Sequence, residues 1–239
     1  MSARPLGVAY RLHQVSPAVG PCTCLKVLVP KVLARYLFEV ERDMHVWLRG
    51  LYGLCLEPYF VPFEIFVADS KDPQTVSVPL ILPHEIVAAV YNAGPNQWRR
   101  SMIGENGTEG VLEWWENAMQ TPWGATHPAL ADAENLDKCI PFVLHEDGAE
   151  SFTEKEAHIF SLMSMLCSGL TFDCKFLTVL FMQSMVYTKP VFRGVVRRLA
   201  EVYKWSFEIL GRRCWPISGM FGEVFDAGTF RSERCPFLF

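Results

Sequence analysis

The chain has 239 residues, half of them hydrophobic, and a net charge of -4, which suits one large domain or two small ones and is too apolar for a disordered segment. Charged residues make up 20% of the chain, with acids in slight excess. That balance excludes a globally basic nucleic-acid binder and leaves room only for a local contact with a polyanion.

Residues 1–24 hold Pro5, Pro17, Gly20 and Pro21 without a sustained period and read as an irregular lead-in. Arg4 is not followed by an apolar stretch of signal-peptide length, so a soluble intracellular protein is expected. Eight cysteines are scattered along the chain, most of them inside apolar runs, and packed reduced thiols are expected. Cys22-Thr23-Cys24 lacks the spacing and the second ligand pair of a zinc knuckle. From Pro30, apolar residues from Leu33 to Leu51 recur at steps of three and four, which predicts an amphipathic helix ending near Gly50 or Gly53.

Leu54 to Val67 is rich in Phe, Val and Ile, but Pro58 and Pro62 confine any strand there to an edge or to a piece such as Phe63 to Val67. Val76 to Leu82 leads into Pro83-His84-Glu85, where proline and an early acid predict a helix start, with the helix running to about Tyr91. Trp98-Arg99-Arg100 is a basic spot beside an aromatic, suited either to a solvated helix end or to a nucleic-acid contact. After the polar loop Glu105 to Gly110, a helix is expected from Val111 to Met119, followed by a compact connector, Thr121 to Pro128. His127 in that connector reads as a hydrogen-bonded loop histidine or a ligand.

Cys139 to Glu150 reads C-I-P-F-V-L-H-E-D-G-A-E, an apolar run that ends in acid and glycine, as a buried strand does at a sheet edge. If extended, it turns Ile140, Phe142, Leu144 and Glu146 to one face and Val143, His145 and Asp147 to the other. Asp147 is then its last residue, and Gly148 turns the chain. A carboxylate on a rigid strand is a candidate ligand for Mg2+ or Mn2+. A strand that runs out into a solvated acidic turn accounts for the same residues.

Thr153 to Glu156 fits a capping box, yet the residues from His158 to Leu166 also alternate, so this segment is open between helix and antiparallel strand. Phe176 to Tyr187 reads as a strand buried on both faces. It is broken by Thr178, Gln183 and Ser184 and is shorter than the ~20 residues that span a bilayer, so no membrane partner is expected. Thr188 to Leu210 is a helix with Val191, Val195, Leu199, Val202, Ser206 and Ile209 in one stripe. Arg193, Arg197 and Lys204 lie on its other side, with Arg212 and Arg213 just beyond, as a solvated face or as phosphate contacts.

The common phosphate-binding loop, dinucleotide fingerprint, zincin helix and serine-nucleophile elbow are all missing. Cys139 or Cys167 with His145 or His158 are candidates for a thiol nucleophile and its base only if the fold brings them together.

L-P-H-E at 82–85, W-R-R-S at 98–101, E-W-W-E at 113–116, H-P-A-L at 127–130 and I-P-F-V-L-H-E-D-G-A at 140–149 resemble transposase-derived proteins of the CACTA and Plavaka type. In that family an apolar strand ending in D-G, with an adjacent returning strand, opens a ribonuclease-H-like core. The resemblance implies that Asp147 matches the first metal-binding acid, that Mg2+ or Mn2+ is the cofactor, that DNA is the partner and that the location is nuclear. Such a core needs further acids so that two metals can flank the displaced bond. Asp173 and Asp226, the later aspartates, match no family motif.

The expectation is therefore an α/β (α+β) protein. Residues 1–130 would be mainly helical, and residues 131–239 a partial ribonuclease-H-like sheet with a covering helix. Its function would be that of a mobile-element remnant, catalytically incomplete. The alternative is a non-enzymatic intracellular structural or protein-interaction domain with an unknown protein partner, in which the aromatics are packing.

Overall fold

The computed structural model describes residues 56–67, 70–150, 156–169, 174–212, 215–225 and 231, and at 131–134, 149, 150 and 156 the backbone alone. The helix expected from Pro30 and the Cys22/Cys24 pair lie outside these residues. The described residues form mixed α and β structure, with two small antiparallel sheets among them.

Strands β1 (Tyr59–Ile65) and β2 (Gln74–Leu80) pair antiparallel. Pro62 faces Ser77 and Pro79 faces Phe60, so both prolines fall in the same alternate set of the ladder. That set tolerates them if it is the one without cross-strand N–H bonds, which a two-stranded sheet supplies along its whole length. Tyr59, Val61, Phe63 and Ile65 are buried and their alternates are more exposed. The strand is thus the edge expected, running through Pro62 instead of starting after it.

Helix α1 (Pro83–Asn92) follows with proline in its first turn. The chain then passes through a short turn, Pro95–Trp98, into a π-helical turn, Arg99–Ile103, which stops at Gly104 with φ +69°. Helix α2 (Gly107–Met119) starts four residues ahead of the expected Val111. A one-turn helix, Pro122–Ala125, is capped by Thr121, whose Oγ1 accepts from the Gly124 N–H at 3.0 Å. Tight 3₁₀ turns cover Pro128–Lys138.

Strands β3 (Phe142–Glu150), β4 (Glu156–Ser164) and β5 (Lys175–Met182) form an antiparallel sheet in that order. The 156–164 segment is therefore strand: its alternation and its pairing on β3 outweigh the local helix signal. Expected as one strand, Phe176 to Tyr187 instead leaves the sheet after Met182 for a helical turn, Gln183–Val186, where the polar pair Gln183-Ser184 breaks the apolar run. Between β4 and β5 the register shifts at Phe160/Ser161. The resulting bulge buries the consecutive residues Thr178 and Val179, and Thr178 Oγ1 shares a 2.5 Å hydrogen bond with the Tyr203 hydroxyl.

Helix α3 (Lys189–Arg212) closes the core. Of the stripe read from the sequence, Val195, Leu199, Val202, Ser206 and Ile209 are buried and Val191 packs at the margin. Val195, Leu199, Val202 and Tyr203 share one cluster with Val61, Phe63, Val78 and Leu80 of the hairpin and Phe160, Val179 and Phe181 of the larger sheet. Residues on both sides of position 130 thus build the same core. Each large apolar side chain buried there stabilises the fold by roughly 1.5–3 kcal/mol. A second cluster joins Ile86, Val87 and Val90 of α1 to Met102, Leu162 and Phe176.

Candidate functional site

Asp147 lies inside β3 and not at its end: Gly148 is paired with His158, and the ladder continues to Glu150 opposite Glu156. Among the described residues β3 is also the edge strand of its sheet, paired with β4 alone. Leu144 is 46% exposed, and Glu146 and Asp147 are exposed. Of the run expected to be a buried strand, Phe142 packs inward, where it meets Phe207 at 5.9 Å, but burial stops halfway along it.

The alternation expected along β3 separates its two acids. Glu146 accepts from His158 Nδ1 at 2.7 Å, and His158 Nε2 is in hydrogen-bond contact with Gln183 Oε1. The same imidazole lies tilted against the Phe192 ring of α3, 4.7 Å between centres. Both of its nitrogens are engaged with oxygens. Asp147 turns to the other face, where the Lys175 ammonium stands 3.8 Å from its Oδ2. Among the described residues no three Asp, Glu, His or Cys side chains converge. One carboxylate with an ammonium beside it does not fit a two-metal site, which needs several oxygen ligands and no competing cation. Asp173, Asp226 and the Glu150 side chain lie outside the described residues.

The cations of α3 form a clearer arrangement. Arg193, Arg197 and Lys204 are exposed, and at about 100° per residue they fall within about 40° of one another, with Lys189 about 40° further round. None of these four side chains has an ion-pair partner among the described residues. By contrast, Arg198 donates to Glu201 at 2.8 Å and Arg212 to Glu208 at 3.3 Å. Arg213 lies outside the described residues. Arg212 is thus drawn away from the group read in the sequence, and Lys189 joins it.

Arg99 and Arg100 are exposed next to Trp98, which meets Tyr91 edge-on at 5.2 Å. The Arg100 carbonyl accepts from the Ser168 and Gly169 N–H groups at 3.1 and 3.3 Å, so this turn anchors the chain after β4. His127 is the loop histidine of the two readings: its Nδ1 accepts from the Ala129 N–H at 3.2 Å, and its ring lies against Trp115 and Trp123.

A buried polar knot that the sequence pattern does not reveal lies where α1, β1 and the C-terminal region meet. His84 and Glu85 were read as helix-start residues, yet they are 1% and 0% exposed. His84 uses its Nδ1 and its backbone N–H on Ser206 Oγ, at 2.8 and 3.0 Å. Burial, helped by the Arg231 charge, holds the imidazole down at about 3. Burial pushes the Glu85 carboxyl up to about 7, with Arg231 pulling the other way. Tyr59 donates to Glu223 and accepts from the Met220 N–H, and burial raises its hydroxyl well above the usual phenol range. The only signal in the sequence was an ionisable pair set among apolar residues, Ile81-Leu82 before and Ile86-Val87 after.

No family model, curated protein or solved structure matches this chain.

Proposed function

We propose that the chain is a transposase-derived, catalytically incomplete protein that binds polynucleotide through the exposed face of α3. The observation that carries this reading is the set of four cations, Lys189, Arg193, Arg197 and Lys204, exposed on one side of a 24-residue helix and unpaired among the described residues. Cations without a partner are what phosphate contacts need, and on a chain of net charge -4 they are a local feature. The strand that carries H-E-D-G-A and its returning neighbour β4 are in keeping with the opening of a ribonuclease-H-like core. The Lys175 contact on Asp147 is in keeping with lost metal-dependent strand transfer. A nuclear location follows from this reading.

The test is salt dependence. Affinity for a labelled DNA should fall with rising salt, with a log–log slope of about -0.9 per phosphate neutralised on duplex. The Arg193→Glu/Arg197→Glu/Lys204→Glu variant should flatten that slope, and an unchanged slope defeats the proposal. The second reading, a protein-interaction domain, draws on Trp123, 58% exposed beside Trp114. Wild-type protein that binds no DNA at low salt would favour it.

A further inference from the structure

The three-stranded sheet has two unlike faces. Phe160, Val179 and Phe181 turn inward to α3, whereas the alternate positions Ile159 and Met163 of β4 and Leu177 and Leu180 of β5 face outward. These four outward side chains are apolar and half-buried. Ile159, Met163 and Leu180 join none of the apolar clusters of the described residues, and Leu177 packs against the cluster that holds Leu56. In their midst Ser161 is 3% exposed, and its hydroxyl has no hydrogen-bond partner among the described residues. A hydroxyl shut off from water calls for a partner, so the element that covers this face should bring a polar tip as well as an apolar stripe.

The segment upstream of β1 has both. Leu33, Leu37, Val40, Met44, Leu48 and Leu51 fall within about 80° of one another on the helix expected there, at about 100° per residue. Tyr36 and Trp47 border that stripe and carry a hydroxyl and an indole N–H that can meet Ser161. A helix over residues 33–51 is about 28 Å long, and the nine residues of β4 span about 30 Å. The outward strip is two strands wide, about the width of one helix. Leu56, 1% exposed, fixes where the segment enters the fold, because it shares a cluster with Leu162 and Phe176 of this sheet and the outward Leu177 packs on it. Residues 52–55 reach roughly 14 Å, enough to bring the end of the helix onto the strip. We infer that the helix of residues 33–51 docks across the outer face of β4 and β5, so that the sheet carries a helix on each side. His145 and Asp147, the outward residues of β3, then stand at the margin of the docked helix. The inference is independent of the polynucleotide reading.

The experiment is peroxide oxidation of the full chain, followed at single methionines by tandem mass spectrometry. Met165, 54% exposed, and Met102, 0% exposed, are built-in references on either side of the half-buried Met163. In wild type Met163 should oxidise about tenfold more slowly than Met165, at a rate independent of protein concentration. Leu37→Asp/Leu48→Asp should bring Met163 close to the rate of Met165 while Met102 stays protected. Where that variant also exposes Met102, Leu37→Ala/Leu48→Ala, which keeps good helix formers, decides by a smaller rise at Met163 alone. Arg42→Ala, on the opposite side of the helix, should change nothing. Oxidation of Met163 as fast as Met165 in wild type, stripe variants that leave it protected, or an equal rise in Arg42→Ala overturns the inference. Protection that weakens on dilution also overturns it, because the cover would then be a second copy of the chain.

Discussion

Arg231 and Glu85, 146 positions apart, form a two-pronged ion pair, Nε to Oε1 at 2.6 Å and Nη2 to Oε2 at 3.0 Å, in which the carboxylate has no exposed surface. The same guanidinium donates to the Glu57 and Pro58 carbonyls at 2.5 and 3.4 Å and lies 5.5 Å from the Tyr59 ring centre. One side chain near the C-terminus therefore ties the entry to β1 onto the first turn of α1. Arg231→Met strands a buried acid and should cost on the order of 3–5 kcal/mol in urea unfolding. Glu85→Gln/Arg231→Met should lose less than the single change, because no charge is left unpaired. A double variant as unstable as the sum of the two singles would show that the pair is not coupled.

His84 and Glu85 set opposite pH dependences. The folded state holds the His84 imidazole down from 6.5 to about 3, so it binds fewer protons there than the unfolded chain. The stability linked to His84 is complete above pH 6.5 and drains away as pH falls towards 3. Glu85 is pushed up from 4.5 to about 7, so its contribution is complete below pH 4.5 and is lost as pH rises through 7. In a series of urea midpoints against pH, His84→Gln should flatten the loss on the acid side and Glu85→Gln the fall in stability between pH 4.5 and 7. Curves parallel to wild type would contradict both assignments.

What was legible in the sequence is what a local pattern determines. The stripe of α3, the proline start of α1 and the face alternation of β3 each follow from spacing within one element. The polar knot does not, because Ser206 and Arg231 reach His84 and Glu85 over 122 and 146 residues. The β4 segment carried signals for both helix and strand, and only the partner strand decided between them. Asp147 was placed on the right strand but at the wrong depth in it, since Gly148 was read as a turn glycine when it is one rung of a ladder.

That correction has its own test in a pair of glycines. An added Cβ at Gly148 meets nothing within 4 Å, and its φ is not in the left-handed region, so Gly148→Ala should be neutral or slightly stabilising. Gly104, with φ +69°, stops the π-helical turn where a Cβ would overlap the Leu166 carbonyl oxygen. Gly104→Ala should cost more than about 1 kcal/mol, because it combines a strained φ with a backbone clash. Thermal melts of the two variants read the difference directly. A large loss at Gly148 would restore the turn.

Asp147 and Lys175 form a loose surface pair. The Asp147 side chain is 58% exposed and that of Lys175 27%, with 3.8 Å between the charges. Such a surface pair contributes about 0–1 kcal/mol, so Asp147→Ala should leave the urea midpoint nearly unchanged. A divalent ion at this carboxylate would have to displace the ammonium. It would also have to find oxygen ligands elsewhere, because Glu146 is turned to the opposite face against His158. Mn2+ titrations followed by electron paramagnetic resonance should therefore superimpose for wild type and Asp147→Ala, and neither protein should nick supercoiled DNA. Saturable Mn2+ binding that disappears in Asp147→Ala would bring a further acid, such as Glu150 or Asp173, into reach of this strand and turn the remnant back into a candidate nuclease.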